Sequence, residues 1–545
     1  MKKLIILFIG LLPLLGRAQG VEKIYVSTDR NVYIAGDEIW CSLFCLDAST
    51  QKLSAYSAVS YLELVSEDGT VATAKIGLVE GRGAGKFRIP LSVPTGNYRL
   101  LAYTAKYPGA FLPGSKVVSV FNTTSTARVN GGVKVVPEAE YAGKAASRAS
   151  DGFLSISTRE IPRNGRTFSL AISGGAETAD FSLSIYELDQ IGEPSGRGWA
   201  DFYASLKEPV EASAKLAEYE GEIIYAAVEG LENKQLDSLS QVAVATLSSV
   251  ESPTDVYVGK MGEKGRLLFF TNNIYGDREL VCEVARGGGY ISLMDPFQYP
   301  SVGTIEQLEL SPAQYGSLVR RKAAAGTLLQ IDTLVQFLPR RQDILLEKGA
   351  GKTYHLDDYT RFPSLQEEIV EIVKELRIRT IHNQHQLQLI VPDAVGNRKV
   401  AKDNILTMLD GVVISDLSLL EGMDAMLLED VDIYWEEIIL GGISYNGVVN
   451  FITRKNYVKA LQFPANVRVV DFKGVCYPVA YLGEPVVGDD YRSLLYWHPA
   501  MRMGAGESRV LPLKAPAGSG TFRVVAEGLT ASGKPFYEVF DFEVR

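Results

Sequence analysis

The sequence predicts a mainly β, multi-domain protein that also contains one α/β module. The first observation is a series of short alternating runs, such as 61–64, that end in turn pairs such as Asp68-Gly69. The second is size, because 545 residues with 46% hydrophobic content suffice for about three to five packed domains. The third is a capping box at 364–367, which opens an amphipathic helix ahead of further strands.

The first eighteen residues have the form of a secretory signal peptide. Lys2 and Lys3 precede an apolar run over 4–15, and Gly16 and Ala18 are the small residues that a cleavage site requires. The alternative, an uncleaved membrane anchor, needs about 20 apolar residues, and this run is shorter. Cleavage after Ala18 predicts a secreted protein in the periplasm or associated with the outer membrane, with no transmembrane segment of its own.

The net charge of the chain argues against some classes of binding partner. The formal net charge is −10 and the pI is about 5.3. No strongly basic segment opposes this negative balance, so nucleic acid and anionic lipid surfaces are poor partners on electrostatic grounds.

The four cysteines are predicted to be buried free thiols, with a disulfide as the alternative. Cys41 and Cys45 lie on one face of an alternating stretch, about 13 Å apart along a strand. A disulfide requires Cα atoms within about 7 Å, so this pair is not expected to form one. Cys282 and Cys476 fall in different predicted modules.

Residues 19–125 are predicted to form the first β-sandwich. Phe87, Ile89 and Leu91 alternate with other residues before a turn at 94–97, and another strand follows at 98–103. Short strands with regular turn signals are typical of a sandwich.

The same segment resembles the macroglobulin-type β-sandwich domain of α2-macroglobulin relatives. The resemblance is carried by Thr28-Asp29-Arg30, the run 33–37 and Gly96-Asn97-Tyr98. It implies a seven-stranded sandwich used for packing and protein contact. From the residues alone, 28–30 is interpreted as a strand-end turn with local hydrogen bonds. The Cys-Gly-Glu-Gln motif of an internal thioester is absent, so covalent protease trapping is not expected.

Two further sandwiches are predicted, at 126–216 and at 217–297. The runs 153–157 and 181–185 alternate as half-buried strands do, and a helix is expected near 198–207. Apolar strands at 222–225 and 267–270 belong to the third sandwich.

A partly helical connector is predicted at 298–346. Ser311-Pro312-Ala313-Gln314 has the form of a capping box with proline at the first helical position, and the helix is expected to stop by Gly326. The basic run 320–322 is interpreted as a solvated face.

Residues 347–456 are predicted to be the α/β module. After the capping box at 364–367, five apolar residues recur at helical spacing, and a strand is expected at 387–391. A strand at 406–409 then leads into a turn. The apolar residues of the helix are Leu365, Ile369, Ile372, Val373 and Leu376.

This module resembles the plug domain of TonB-dependent outer-membrane receptors. Leu409-Asp410-Gly411-Val412, the segment 423–432 and the closing run 446–455 match the plug signature. Leu440-Gly441-Gly442 departs from it, because it stands where the family has Tyr-Gly-Ser. About 90 residues follow position 456, whereas the strands of a 22-stranded barrel need over ~200. A complete receptor is therefore not expected, and 457–545 is predicted to be a C-terminal β-sandwich.

Two segments of this last stretch extend the resemblance. Residues 496–499 and 522–528 look like the closing macroglobulin-like module of large bacterial envelope proteins that combine such sandwiches with a plug-like domain.

No set of residues indicates catalysis, a cofactor site or a metal site. Gly349-Ala350-Gly351-Lys352-Thr353 imitates a phosphate-binding loop but lacks its first glycine and a following helix. The run 442–446 fails as a nucleophile elbow at Asn446. His382 and His385 could hold a metal on one helical face, but the strand that follows favours surface histidines.

The favoured hypothesis is a non-enzymatic scaffold or binding module for another envelope protein, possibly an outer-membrane barrel protein. The alternative is glycan or nutrient binding as an accessory to an outer-membrane transporter. A peptidase or protease-inhibitor relative is the third hypothesis. The oligomeric state stays open.

Overall fold

The computed structural model of the chain describes residues 20–125, 133–137, 149–188, 198–232, 235–236, 244–249, 256–284, 289–311, 314, 335–336, 349–381, 384–392, 399–483, 490 and 492–545. The fold is mainly β with several sheets and few helices, as predicted. The signal peptide at 1–18, the connector helix from 312 onward and the basic run 320–322 lie outside the described residues. Among the described helices, none is long and apolar enough to cross a membrane.

The first sandwich occupies residues 22–121. Its strands are β1 (Glu22–Thr28), β2 (Val32–Ile34), β3 (Glu38–Asp47), β4 (Lys52–Leu53), β5 (Val59–Ser66), β6 (Gly69–Val79), β7 (Arg82–Arg88), β8 (Gly96–Tyr103) and β9 (Lys116–Phe121). They hydrogen-bond in the order β1-β3-β7-β6-β5-β8-β9-β2. Ile39, Cys41, Leu43 and Cys45 all enter one buried core, so the predicted alternation of this stretch is confirmed.

The next segment supplies β10 (Lys134–Val135), β11 (Ser155–Thr158), β12 (Thr167–Ser173), β13 (Ala179–Glu187) and helix α1 (Trp199–Ser205). The alternating runs predicted here are strands, and the helix expected near 198–207 is α1. Trp199 and Phe202 of α1 are buried against β1 and β3 of the first sandwich.

The third sandwich pairs two sheets. Its elements are β14 (Ile223–Glu229), β15 (Val244–Ser249), β16 (Val256–Lys260), β17 (Arg266–Phe270), β18 (Arg278–Val284) and β19 (Tyr290–Leu293), and two short strands follow at β20 (Glu309–Leu310) and β21 (Val335–Gln336). One sheet has the order β17-β14-β19 and the other β16-β15-β18. Their inner faces enclose an apolar core.

Residues 352–460 form the α/β module. It contains β22 (Lys352–His355), α2 (Leu365–Glu371), β23 (Leu376–Ile381), β24 (Gln384–Pro392), β25 (Lys399–Lys402), β26 (Leu406–Leu409), β27 (Val412–Val413), α3 (Ser418–Glu421), β28 (Leu428–Tyr434), β29 (Ile438–Leu440), β30 (Ile443–Tyr445) and β31 (Val448–Thr453). The five-stranded sheet runs β22-β28-β31-β26-β27. Ser364 caps α2 as predicted, and its hydroxyl accepts from the Glu367 N–H.

The helix α2 is shorter than the predicted apolar pattern. It ends at Glu371, and Leu376 already begins β23. All five predicted residues nevertheless lie in the same buried core. The helical spacing therefore identified the buried side chains correctly, although it overestimated the helix.

The last segment is distributed over the earlier modules. Its strands are β32 (Val467–Phe472), β33 (Val475–Cys476), β34 (Val479–Ala480), β35 (Leu494–Met503), β36 (Ser508–Lys514), β37 (Gly520–Thr530) and β38 (Pro535–Val544). β32 pairs with β18, and β33 pairs with β6. β35 and β37 flank β13, and β36 pairs with β12.

These pairings differ from the predicted division, which gave 126–216 and 457–545 separate sandwiches. Leu170 and Phe181 share one core with Phe522 and Phe542, so the two segments build a single composite sandwich. Alternation shows which face of a strand is buried, but it does not identify the neighbouring strand. That is why the pattern alone separated the two halves.

Candidate functional site

A cleft lies where the first sandwich, the third sandwich and the chain around the end of β32 meet. We call it the junction cleft. Its volume is about 730 Å³, within the range of ligand-binding clefts. Its walls come from β6, β14, β17, the stretch 293–299 and the stretch 471–473.

One wall is an apolar outer face of a sheet. Ile223 lies opposite Phe270, and Tyr225 lies opposite Leu268, whereas Ile224 and Phe269 point into the sandwich core. Outward positions of a half-buried sheet are usually polar. Here Ile223, Tyr225 and Leu268 are apolar and line the cleft together with Arg266. Phe270, which is 60% exposed, extends this face beyond the lining residues.

Exposed apolar residues continue this wall. Met294 is 57% exposed and Tyr299 is 55% exposed, and both line the cleft. Contiguous exposed apolar surface of this kind marks binding sites in soluble proteins.

The floor of the cleft carries a buried ion pair. Lys75 Nζ lies 2.6 Å and 2.9 Å from the two carboxylate oxygens of Glu222, and both side chains are 3% exposed. The same ammonium lies 4.1 Å from the centroid of the Phe472 ring. Burial raises the pKa of Glu222, and the Lys75 charge opposes that shift. The Lys75 ammonium and the Glu222 carboxylate therefore neutralise each other.

A second carboxyl group lies behind the wall. Glu218 Oε1 accepts from the Tyr61 hydroxyl at 2.7 Å and from the Ile223 N–H at 3.0 Å. Burial raises the pKa of Glu218 to about 7. Lys215 Nζ donates to the Pro296 carbonyl at 3.0 Å and so holds the stretch that carries Met294 and Tyr299.

A second, smaller cleft of about 560 Å³ adjoins the first. We call it the edge groove. It lies between β6 and β7 and shares Thr73, Tyr299 and Lys473 with the junction cleft. Lys473 Nζ donates to the Thr73 carbonyl at 2.8 Å.

None of the residues that line these two clefts was predicted from the sequence to form a site. A signal was present, however, because 223–225 and 267–270 are continuous apolar runs. Such runs are typical of strands buried on both faces. In this structure the outward face of these strands is buried at Ile223, half-buried at Tyr225 and Leu268, and exposed at Phe270.

The residues that the sequence offered for phosphate or metal binding lie outside the two clefts. Residues 352–355 form a strand, and Lys352 Nζ lies 2.9 Å from Glu375. His355 Nδ1 lies 2.8 Å from Asp430, and His385 on β24 lies 2.8 Å from Glu421. His382 lies outside the described residues. Across the described part of the chain, no group of three potential ligands is positioned to hold a metal ion.

Two motifs from the sequence form local networks. Asp29 Oδ1 accepts from the Tyr33 hydroxyl at 2.7 Å and from the Trp40 N–H at 3.0 Å, and Asp29 Oδ2 lies 3.0 Å from Arg30. Together with Asp37, which lies 3.1 Å from Arg30, these contacts confirm the predicted strand-end network.

All four cysteines are free thiols, as predicted. Cys41, Cys45 and Cys282 are buried, and Cys476 is half-buried. Burial raises the pKa of Cys476 to about 11. At that pKa a thiolate is scarce near neutral pH, so the group is a poor nucleophile.

The chain is similar in structure to two bacterial α2-macroglobulins. For Salmonella α2-macroglobulin reacted with methylamine, the identity is 9% and the TM-score 0.24, and the match covers 97% of this chain and 40% of that chain. For native E. coli α2-macroglobulin, the values are 9%, 0.25, 96% and 40%. This chain thus spans about 40% of the length of the α2-macroglobulins it matches.

A further likeness is to FdeC, an E. coli adhesin. The identity is 12% and the TM-score 0.14, and the match covers 54% of this chain and 65% of that chain. No family model and no curated protein matches the sequence.

Proposed function

We propose that this chain is an exported, non-enzymatic scaffold of the bacterial envelope that binds another envelope protein at the junction cleft. The observation that carries the proposal is the exposed apolar surface of Phe270, Met294 and Tyr299 beside the half-buried Tyr225 and Leu268. A partner that covers this face removes apolar surface from water, which contributes about 25 cal/mol for each Å² buried.

The charges of the cleft support binding rather than chemistry. Lys75 and Glu222 neutralise each other, and Lys215 is held by a backbone carbonyl. The centres of protein interfaces are typically depleted in charge and enriched in aromatic residues and methionine. Phe270, Met294 and Tyr299 match that composition.

The plug-like assignment of 347–456 belongs to this proposal. Asp410 of the first quoted motif accepts from the Thr453 N–H and from the Thr453 hydroxyl, both at 2.7 Å, so it meets the closing motif. One side of this module also packs on the third sandwich, where Val256 and Val258 join the core of Met408 and Val448. We keep the docking surface at the junction cleft, and we include an outer-membrane barrel protein among the partners because of the plug-like assignment.

Site-specific photo-crosslinking in intact envelopes tests the proposal. A photo-reactive phenylalanine analogue at position 270 is expected to give a discrete crosslinked species of higher mass. The matched control is the same analogue at position 79, because Val79 is 65% exposed but lies on the β6–β7 turn. Identical products at both positions, or no product at position 270, would contradict the proposal.

A second candidate function is glycan or nutrient binding as an accessory to a transporter. It is supported by Tyr225, Phe297 and Tyr299, because aromatic faces at a cleft suit sugar rings. Calorimetry with a polysaccharide panel tests it, and heat that disappears in Tyr299→Ala would favour it. Hydrolysis that survives purification and is abolished by one point mutation would instead point to the peptidase hypothesis.

A further inference from the structure

The two strands of the β6–β7 hairpin separate soon after their turn. Only Leu78 with Gly83 and Val79 with Arg82 are paired between them. Further from the turn, β6 pairs with β5 and β7 pairs with β3. In each case the pairing uses the strand edge that points away from the other strand of the hairpin. Their near edges therefore face each other across the edge groove.

The inner end of this gap already holds an extended segment. β33 lies parallel to β6, with Val475 opposite Lys75 and Cys476 opposite Ile76. Cys476 also lies beside β7, where its Cβ would be 3.0 Å from a Cβ added at Gly85. The edge of β6 is thus shown to accept a strand from a remote part of the chain.

The outer end of the same edge carries no strand within the described residues. β33 consists of residues 475–476. The chain that precedes it forms β32, which pairs with β18 and not with β6. Within the described part of the chain, the Thr73 carbonyl accepts from the Lys473 ammonium, a side chain, at 2.8 Å. Residues 70–73 are half-buried, and all four line the edge groove. An accessible strand edge is a template for pairing with another chain.

We propose that an extended segment of a protein partner adds to β6 at Val71–Thr73, in line with β33. This inference rests on the proposed function and names how the partner is held. Backbone hydrogen bonds provide affinity in such strand addition, and side-chain pockets provide specificity. Here the lining offers apolar contact at Val71 and Phe87.

The charged residues at the rim of the edge groove favour one sign of charge in the partner's extended segment. Lys86 lies 2.8 Å from Glu38 and is already paired. Arg88 is 3.9 Å from the same carboxylate, and its side chain is 70% exposed. Lys473 and Asp277 also line the groove, so its lining keeps an excess of positive charge. This excess favours a partner strand that alternates apolar residues with at least one carboxylate.

A displayed library of short random peptides, selected on the full secreted chain, tests this proposal. The variant Thr73→Pro removes the N–H that faces the groove and leaves the β5 side of the strand unchanged. The variant Thr73→Val keeps that N–H and the branched shape. Selected peptides are expected to bind the wild type and Thr73→Val, and to bind Thr73→Pro about tenfold more weakly.

Backbone N-methylation of a selected peptide provides the second measurement. In strand addition only alternate residues hydrogen-bond to the edge. Methylation at alternate positions is therefore expected to weaken binding about tenfold, while the intervening positions tolerate it. This periodicity is independent of how stable Thr73→Pro is.

Two results would overturn the inference. One is selection of no peptides on the wild-type chain. The other is selection of peptides whose binding ignores both Thr73→Pro and the methylation pattern. Neither result touches the crosslink at position 270, so failure of this inference and failure of the proposed function can be told apart.

Discussion

Buried ionisable residues lie at the boundaries between modules. Lys75 of the first sandwich meets Glu222 of the third, and Tyr61 of the first meets Glu218. Glu283 of the third sandwich accepts from the Ser415 N–H of the α/β module at 3.3 Å. A misaligned boundary would leave such groups buried and unpaired, which costs several kcal/mol. These contacts therefore specify how the modules fit together.

Glu218 is expected to make stability fall as pH rises. Its folded pKa is about 7 against 4.5 for the ordinary group, so the folded state binds the proton more tightly. The favourable contribution is complete below the unfolded pKa and is lost between pH ~4.5 and ~7, amounting to about 3 kcal/mol. Denaturant unfolding of Glu218→Gln across this range should lose the share of the pH dependence that Glu218 contributes. The share from Glu283, whose pKa burial also raises to about 7, should remain.

The control for this experiment is Glu220→Gln, because Glu220 is exposed two residues away. It should leave the pH dependence as in the wild type. If Glu218→Gln and Glu220→Gln give the same curves, burial of Glu218 does not govern the effect.

Replacing one member of the Lys75–Glu222 ion pair should lower the free energy of unfolding more than replacing both members. Lys75→Met leaves Glu222 buried without its counter-charge and is expected to destabilise the fold by about 3–5 kcal/mol. Lys75→Met combined with Glu222→Met should recover most of that loss, because no isolated charge remains. Chemical denaturation of both singles and the double gives the coupling energy, and simple additivity would contradict this account.

At the scale of elements, α1 fills the space between the first and the composite sandwich. Trp199 stacks on Tyr25 with ring centroids 3.9 Å apart, and it meets Phe44 edge-on at 5.1 Å. Leu529 of β37 completes the same cluster. One short helix therefore contacts both sandwiches.

Trp199→Ala is expected to destabilise the protein by about 3–5 kcal/mol, the usual loss for a large buried aromatic. Tyr219→Ala is the matched control, because Tyr219 is 61% exposed. Thermal unfolding measures both, and equal shifts in Tm would show that α1 does not join the sandwiches.

Asp410 links the turn at 409–412 to the closing run 446–455 of the α/β module. Its carboxylate holds the Thr453 N–H, the Thr453 hydroxyl and the Val458 N–H. Asp410→Ala should cost about 2–3 kcal/mol through these charged hydrogen bonds. Asp410→Asn should cost less, because asparagine still accepts and tolerates the φ of 48° found here. Urea unfolding of both variants tests the order, and the reverse order would contradict it.

The elements were predictable from the sequence to a large extent. The alternation at 39–45, the helix at 198–207 and the capping box at Ser364 all reported local backbone geometry, and local geometry follows from neighbouring residues. The contact of Asp410 with Thr453 was not predictable, because two distant segments create it. The apolar wall at Ile223 and Leu268 was visible only as runs without alternation, and a run does not say which face stays open.

At the scale of the whole molecule, the last segment of the chain closes the structure. β32 joins the third sandwich, β33 joins the first, and β35 to β38 complete the composite one. Ser184 on β13 lies opposite Val525 on β37. Contacts between such distant positions form late and slow folding. The early modules therefore complete their sheets only after the C-terminal strands are available.

This topology predicts that a chain cut between β34 and β35 stays in one piece. β13 is hydrogen-bonded on one side to β35 and on the other to β37, and the shared core contains residues from both fragments. With a protease site inserted at 486, the cleaved fragments should co-elute in size-exclusion chromatography and separate only in denaturant. An uncleavable scrambled site is the control. If β35 to β38 folded without the pairings to β12 and β13, the released fragment that starts after 486 would instead elute alone and give a β-sheet circular dichroism spectrum.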